Sequence, residues 1–229
     1  MSEHKIIKNN PKHLIICFGG MALKMGMILP FEFLNYLSTL NLNDTDLYFY
    51  VDNHQCWYHK GFDGITKNID ESVTYLNNII KQSSYKKIIF MGVSSGGYAS
   101  ILFGSLCNVT NVIAFGPRTT YHEKMSDSRY YNLKNIINTK TKYTLNTSTA
   151  IKDVTDNHHI SQCTNINSFK NVNIIKNCDL SMKRLRDNGT IKRLLVRILQ
   201  IPYNKETQGQ PGRGVRGSPN GGSRGQAPA

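Results

Sequence analysis

Gly92-Val93-Ser94-Ser95-Gly96 is the stretch of this sequence best equipped for covalent chemistry. The apolar run Ile88–Met91 leads into the pattern G-x-S-x-G, and small and apolar residues at helical spacing follow it. That order puts Ser94 on a sharp strand-to-helix turn, with Gly92 and Gly96 where any side chain would crowd the neighbouring backbone. The Ser94 hydroxyl would then project, and the Ser95 N–H, at a helix start, would face developing negative charge. A Gly/Ser-rich loop can match five letters by accident. The readable strand before and helix after favour a serine nucleophile for acyl transfer. A second informative stretch is Asp52–Gly61, which gathers Trp57, the chain's one tryptophan, with Tyr58, His54, His59 and Lys60. An aromatic face with flanking hydrogen-bonders (Trp57, Tyr58, His59) suits a sugar ring or another planar group. Packing of Trp57 onto the body explains the same residues equally well. Cys56 beside His54 and His59 has no sharp turn around it and no further ligands at metal spacing, so neither a Cys–His nucleophile nor a metal site is expected.

Elements that could position these groups are readable along the chain. Leu14–Phe18 is a short buried strand without alternation, as in a parallel sheet covered on both faces, and it runs into Gly19-Gly20-Met21. Pro30–Leu37 reads as a helix opened by proline. Asp46–Asp52 is a second strand, so the Trp57 loop should share a sheet edge with Ser94. Ile69, Val73, Leu76, Ile79 and Ile80 form one helical stripe ahead of the Lys87–Met91 strand. Val112–Phe115, Lys142–Leu145 and Val172–Ile175 are further strands, and a closing helical segment over 180–198 is interrupted near Asn188-Gly189. This alternation predicts an α/β domain, residues 1–203, built on a mainly parallel sheet of about six strands with helices on both faces. Ligands in such sheets sit beyond the C-terminal strand ends.

The 229 residues allow one such domain plus a tail. No apolar stretch reaches membrane-spanning length and Met1–Pro11 is polar, so no membrane association is expected. Five scattered cysteines without metal spacing suggest reduced thiols and a cytoplasmic location. The net charge of +13 is uneven: between Ser181 and Ala229 ten Lys/Arg stand against Asp187 and Glu206, which leaves +8 there. Residues 204–229, rich in Gly, Arg and Pro with almost nothing apolar, read as a disordered tail, either a bland linker or a weak nucleic-acid contact. For the body, nucleic acid is not an expected partner.

The strand before Gly19-Gly20, the Ile88–Met91 strand and the GVSSGG turn together resemble the α/β-hydrolase superfamily, over most of Leu14–Ile201. The resemblance implies Ser94 as nucleophile, with the N–H groups of Ser95 and of Gly20 or Met21 as oxyanion hole. It also implies a compact body without a large lid, no cofactor, and a small-molecule acyl ester substrate, including carbohydrate-linked esters. Esterases, thioesterases and acyl transferases are the implied activities. The family orders its triad serine, acid, histidine, with the histidine after the last strand. Here Lys176–Leu180 follows that strand and no histidine stands after His159. Either His159 or His158, in Asp153–His159, turns inward as the base, or the chain is a degenerate, non-catalytic binding protein. An imidazole has the right ordinary pKa to take the serine proton. His159 is preferred because Asp156 lies three residues before it and one turn could bring both to one edge; Asp153 is the other acid that could orient it. His122, after Gly116-Pro117, is a more distant candidate base.

Overall fold

Short runs of Ile, Phe, Tyr and Leu with no polar alternation form the centre of one sheet, because both of its faces are covered. The structure, a computed structural model, describes residues 4–7, 12–21, 33–178 and 180–200. Its strands are β1 (His4–Ile7), β2 (His13–Phe18), β3 (Thr45–Tyr50), β4 (Lys87–Val93), β5 (Asn111–Phe115), β6 (Lys142–Ser148) and β7 (Val172–Asn177). They lie in the order β1-β3-β2-β4-β5-β6-β7. All neighbours from β3 to β7 are parallel, and β1 pairs antiparallel with β3. The six parallel strands are those expected from the sequence. The added edge strand β1 falls in a segment whose composition reads as polar.

Helices cover both faces. Alternate residues of one strand point to opposite sides. Leu14, Ile16, Phe18, Tyr48, Tyr50 and Phe90 therefore meet α2 (Ile69–Ile80) and α3 (Ser95–Leu106) on one face. Ile15, Cys17, Phe49, Ile89 and Met91 meet α1 (Leu34–Ser38), α5 (Met182–Asp187) and α6 (Thr190–Leu199) on the other. Helix α2 starts at Asn68, whose side chain accepts the Glu71 N–H at 2.8 Å, while Glu71 reaches back to the Lys67 N–H at 2.9 Å. Such reciprocal capping contributes about 1 kcal/mol. The break expected near Asn188-Gly189 is present: Gly189 has φ +74° and separates α5 from α6. The start of the Pro30 helix and the 204–229 tail lie outside the described residues. Among the described residues no helix is long and apolar enough to cross a membrane.

Candidate functional site

Strand register brings the candidate residues to one edge. Phe18 lies opposite Gly92, Val93 opposite Phe115, and Phe115 opposite Asn146, so the segments after β2, β4, β5 and β6 emerge side by side. Ser94 sits between β4 and α3 with φ +54° and ψ −118°, in the region that disfavours a residue carrying a Cβ. Its N–H donates to the Phe115 carbonyl at 2.9 Å. Close approach explains the two flanking glycines. A Cβ on Gly92 would stand 2.1 Å from the Gly96 carbonyl oxygen, and one on Gly96 would stand 2.0 Å from that of Phe18. No larger residue fits either place.

The imidazole that meets Ser94 is that of His158, with Nε2 at 2.8 Å from Oγ. His158 Nδ1 lies 3.3 Å from Asp156 Oδ1, and the same oxygen accepts the His158 backbone N–H at 2.7 Å. Both side chains are about two-fifths exposed. The preferred His159 goes elsewhere: it precedes α4 (Ile160–Thr164) in a non-helical conformation, and its Nδ1 accepts the Ser161 N–H at 3.2 Å. Capping one helix start thus commits His159 and leaves its neighbour for the sheet edge. Asp153 is turned to Thr155, whose N–H and hydroxyl it accepts. Gly116, at φ +53°, gives the His158 ring its room; a Cβ there would stand 3.2 Å from His158 Cδ2.

Arg118 is a residue that the sequence pattern did not single out. Its guanidinium donates to the side-chain oxygen of Asn157 and to the carbonyls of Thr120 and Tyr121, tying the segment after β5 to the His158 loop. Its position directly after the Gly116-Pro117 corner was the available signal.

The glycine loop is anchored from below. Gly20 lies beside Ser94, since a Cβ on it would stand 3.7 Å from Ser94 Cβ. The Tyr58 hydroxyl is 2.9 Å from the Gly19 carbonyl and 3.2 Å from that of Tyr50. Met21 is partly buried against the core, and Ser95 opens α3, wholly buried. Trp57, Tyr58 and His59, expected at the ligand, are all buried. Asp52 holds their loop by accepting the N–H groups of Cys56 at 2.8 Å and Tyr58 at 2.9 Å. Trp57 packs edge-on against Tyr98 and lies against the His122 ring. His59 Nδ1 accepts the Asp127 N–H at 3.0 Å, so its proton sits on Nε2, 2.9 Å from the Tyr98 hydroxyl, which donates to the Tyr130 carbonyl. Burial pushes the His59 pKa down to about 4. Both ring nitrogens are thereby engaged within the fold. His122 is pulled down as well, first by burial and then by Arg118. Burial and the Asp52 charge push the Cys56 thiol up. Among the described residues no three His, Cys, Asp or Glu side chains gather as metal ligands.

Among curated protein sequences nothing matches the chain. Solved structures do. MenH from S. aureus is 12% identical, with a TM-score of 0.56 over 87% of this chain and 98% of that one. Thermogutta terrifontis esterase 2 phosphorylated by paraoxon is 13% identical, with a TM-score of 0.56 over 85% and 88%. A mutant capsule O-acetyltransferase of Neisseria meningitidis serogroup A in complex with CoA is 14% identical, with a TM-score of 0.54 over 84% and 92%. At these identities the likeness is one of fold, and the fold is that of the α/β hydrolases. Residues 46–175, more than half of the chain, match the model of a sequence family of this fold class. The chain belongs to the family described as Uncharacterised protein family (UPF0227).

Proposed function

We propose that the protein cleaves or transfers an acyl group from an ester through Ser94, with His158 as general base and Asp156 as its orienting acid. The observation that carries this reading is the 2.8 Å approach of His158 Nε2 to the Ser94 hydroxyl, at a residue held at φ +54°. Esterases and an O-acetyltransferase among proteins of like fold support the same class of chemistry. As the Ser94 oxygen attacks the ester carbonyl, its proton passes to His158 Nε2. The Nδ1 proton faces Asp156, which favours the imidazolium that forms. Backbone N–H groups of Ser95 and of Gly20 or Met21 receive the oxyanion. His158 then returns the proton to the departing alcohol, leaving an acyl-serine. Water or an acceptor alcohol attacks it, and a second proton exchange through His158 frees Ser94. The base thus comes from the loop after β6 and stands in for the histidine absent after β7.

Turnover of a short-chain aryl ester and labelling by a fluorophosphonate probe test this directly. Ser94→Ala and His158→Gln should each lower turnover by about 10³-fold or more, because members of such a set act as a unit. Asp156→Asn should cost less, about 10-fold to 100-fold, since an exposed carboxylate interacts across solvent. His159→Gln should stay within a few-fold of the parent. Undiminished labelling of Ser94→Ala, or full turnover by His158→Gln, would remove the assignment. A protein that neither turns over nor labels would be a binding protein on a hydrolase scaffold.

A further inference from the structure

The opposite end of the sheet from Ser94 carries a feature that this chemistry does not use. An open cleft of about 790 Å³ lies there, between the starting residues of β4 to β7 and helix α6. Lys87, Lys140, Lys142, Lys170 and Arg197 line it, with no Asp or Glu among the lining residues. Among the described residues none of these five cations enters an ion pair. Lys87 opens β4 opposite His13 of β2, and Lys142 opens β6 opposite Asn111 of β5. Two of the charges are therefore mounted on strand starts, Lys140 and Lys170 lie two residues ahead of β6 and β7, and Arg197 is on α6. Thr144, Asn171 and Asn173 add hydroxyl and amide groups, while Leu194 and Ile198 form an apolar wall.

Five like charges with no carboxylate paired to them among the described residues repel one another, and a ligand bearing closely spaced anions relieves that cost. The lining contains one aromatic residue, Tyr143. It is 1% exposed and its hydroxyl is 2.7 Å from Ser105 Oγ, so it offers no face on which a base or sugar ring could stack. Recognition here rests on charge. A nucleic-acid strand carries one negative charge on every residue, a density that such a cluster suits. The whole chain is basic, with a net charge of +13 and a pI near 9.5. We propose that this cleft binds a nucleic-acid strand by its phosphodiester backbone, without reading the bases.

Fluorescence anisotropy with a labelled oligouridylate of about 20 nucleotides tests this on the full chain. Binding should weaken steeply with salt. If all five cations meet phosphates, log K should fall with log salt at a slope of about −3.5. The triple variant Lys140→Glu, Lys142→Glu, Lys170→Glu should lose at least about 30-fold in affinity while keeping its melting temperature and ester turnover. If it does not fold, the corresponding Gln variant should still lose affinity and flatten the salt slope. Oligothymidylate should compete about as well as oligouridylate, because the backbone charge is shared. Parent-like affinity in the folded cleft variant would overturn the proposal. So would loss of binding on changing only Arg213, Arg216 and Arg224 to Ser, which would put the contact in the tail. Tighter binding of a carboxylated glycan or polyglutamate at equal charge would reassign the cleft to another acidic polymer.

Discussion

Ser94 holds a backbone conformation that costs a residue with a Cβ about 1–3 kcal/mol. The surroundings over-determine it. Its N–H is fixed on Phe115, α3 is buried from its first residue, and Gly92 and Gly96 let the backbones touch. If the turn stores strain, a glycine at 94 should release part of it while alanine should not. Ser94→Gly should therefore be more stable than Ser94→Ala by about 1 kcal/mol, with neither turning over ester. Urea unfolding midpoints measure the difference. Equal midpoints, or a less stable glycine variant, would mean that the serine sits without strain. The close backbone approach around Ser94 was legible because glycine spacing between a readable strand and helix marks it. Which imidazole meets Ser94 was not. His158 and His159 are neighbours with identical chemistry, and what separates them is the start of a five-residue helix that takes one as its cap. Sequence distance from Asp156 pointed to the wrong member of the pair for contact with Ser94, because the Asp156 carboxylate folds back on His158 through the backbone.

At the scale of elements, the segment between β3 and α2 braces the site from beneath. Gln55, Trp57 and Tyr58 all have positive φ, and Asp52 compensates by accepting backbone N–H groups along the bend. His59 then links that loop to α3 through Tyr98 and to the segment after β5 through Asp127. The polar and aromatic letters gathered in Asp52–Gly61 look alike whether they face a ligand or this internal network, so burial was not legible there. The network should show itself in acid. His59 has an ordinary pKa of 6.5, and burial lowers it to about 4 in the fold. Between those values the unfolded chain binds the proton and the folded chain does not. The stability due to neutral His59 is thus complete above pH 6.5 and declines as pH falls toward 4, by up to about 3 kcal/mol. His59→Gln should be less stable than the parent at pH 7, and the gap should narrow on acidification through that window. Unfolding free energies at a series of pH values would reveal it. Parallel curves for the two proteins would mean that His59 is not held neutral.

Across the whole molecule, six parallel strands were legible because a doubly covered sheet needs apolar runs that no surface element can carry. The edge strand β1 was not, since one antiparallel neighbour asks little of composition. Charge was legible as a total and misleading as a place. Of the net +13, +8 lies in the last 49 residues of the sequence. Four of the five cleft cations, Lys87, Lys140, Lys142 and Lys170, precede those 49 residues and come from three separate stretches that the neighbouring starts of β4, β6 and β7 bring together. The serine edge and the basic cleft lie at opposite ends of the sheet. Removing residues 204–229 should leave the melting temperature within about 2 °C of the full chain and ester turnover unchanged, because the sequence of that segment holds almost nothing apolar. Oligouridylate affinity should fall only modestly, in keeping with a cleft that supplies most of the phosphate contacts. Thermal scans, turnover and anisotropy on the shortened chain read all three. A fall of more than about 5 °C would mean that the removed segment packs on the body and belongs in its energetics.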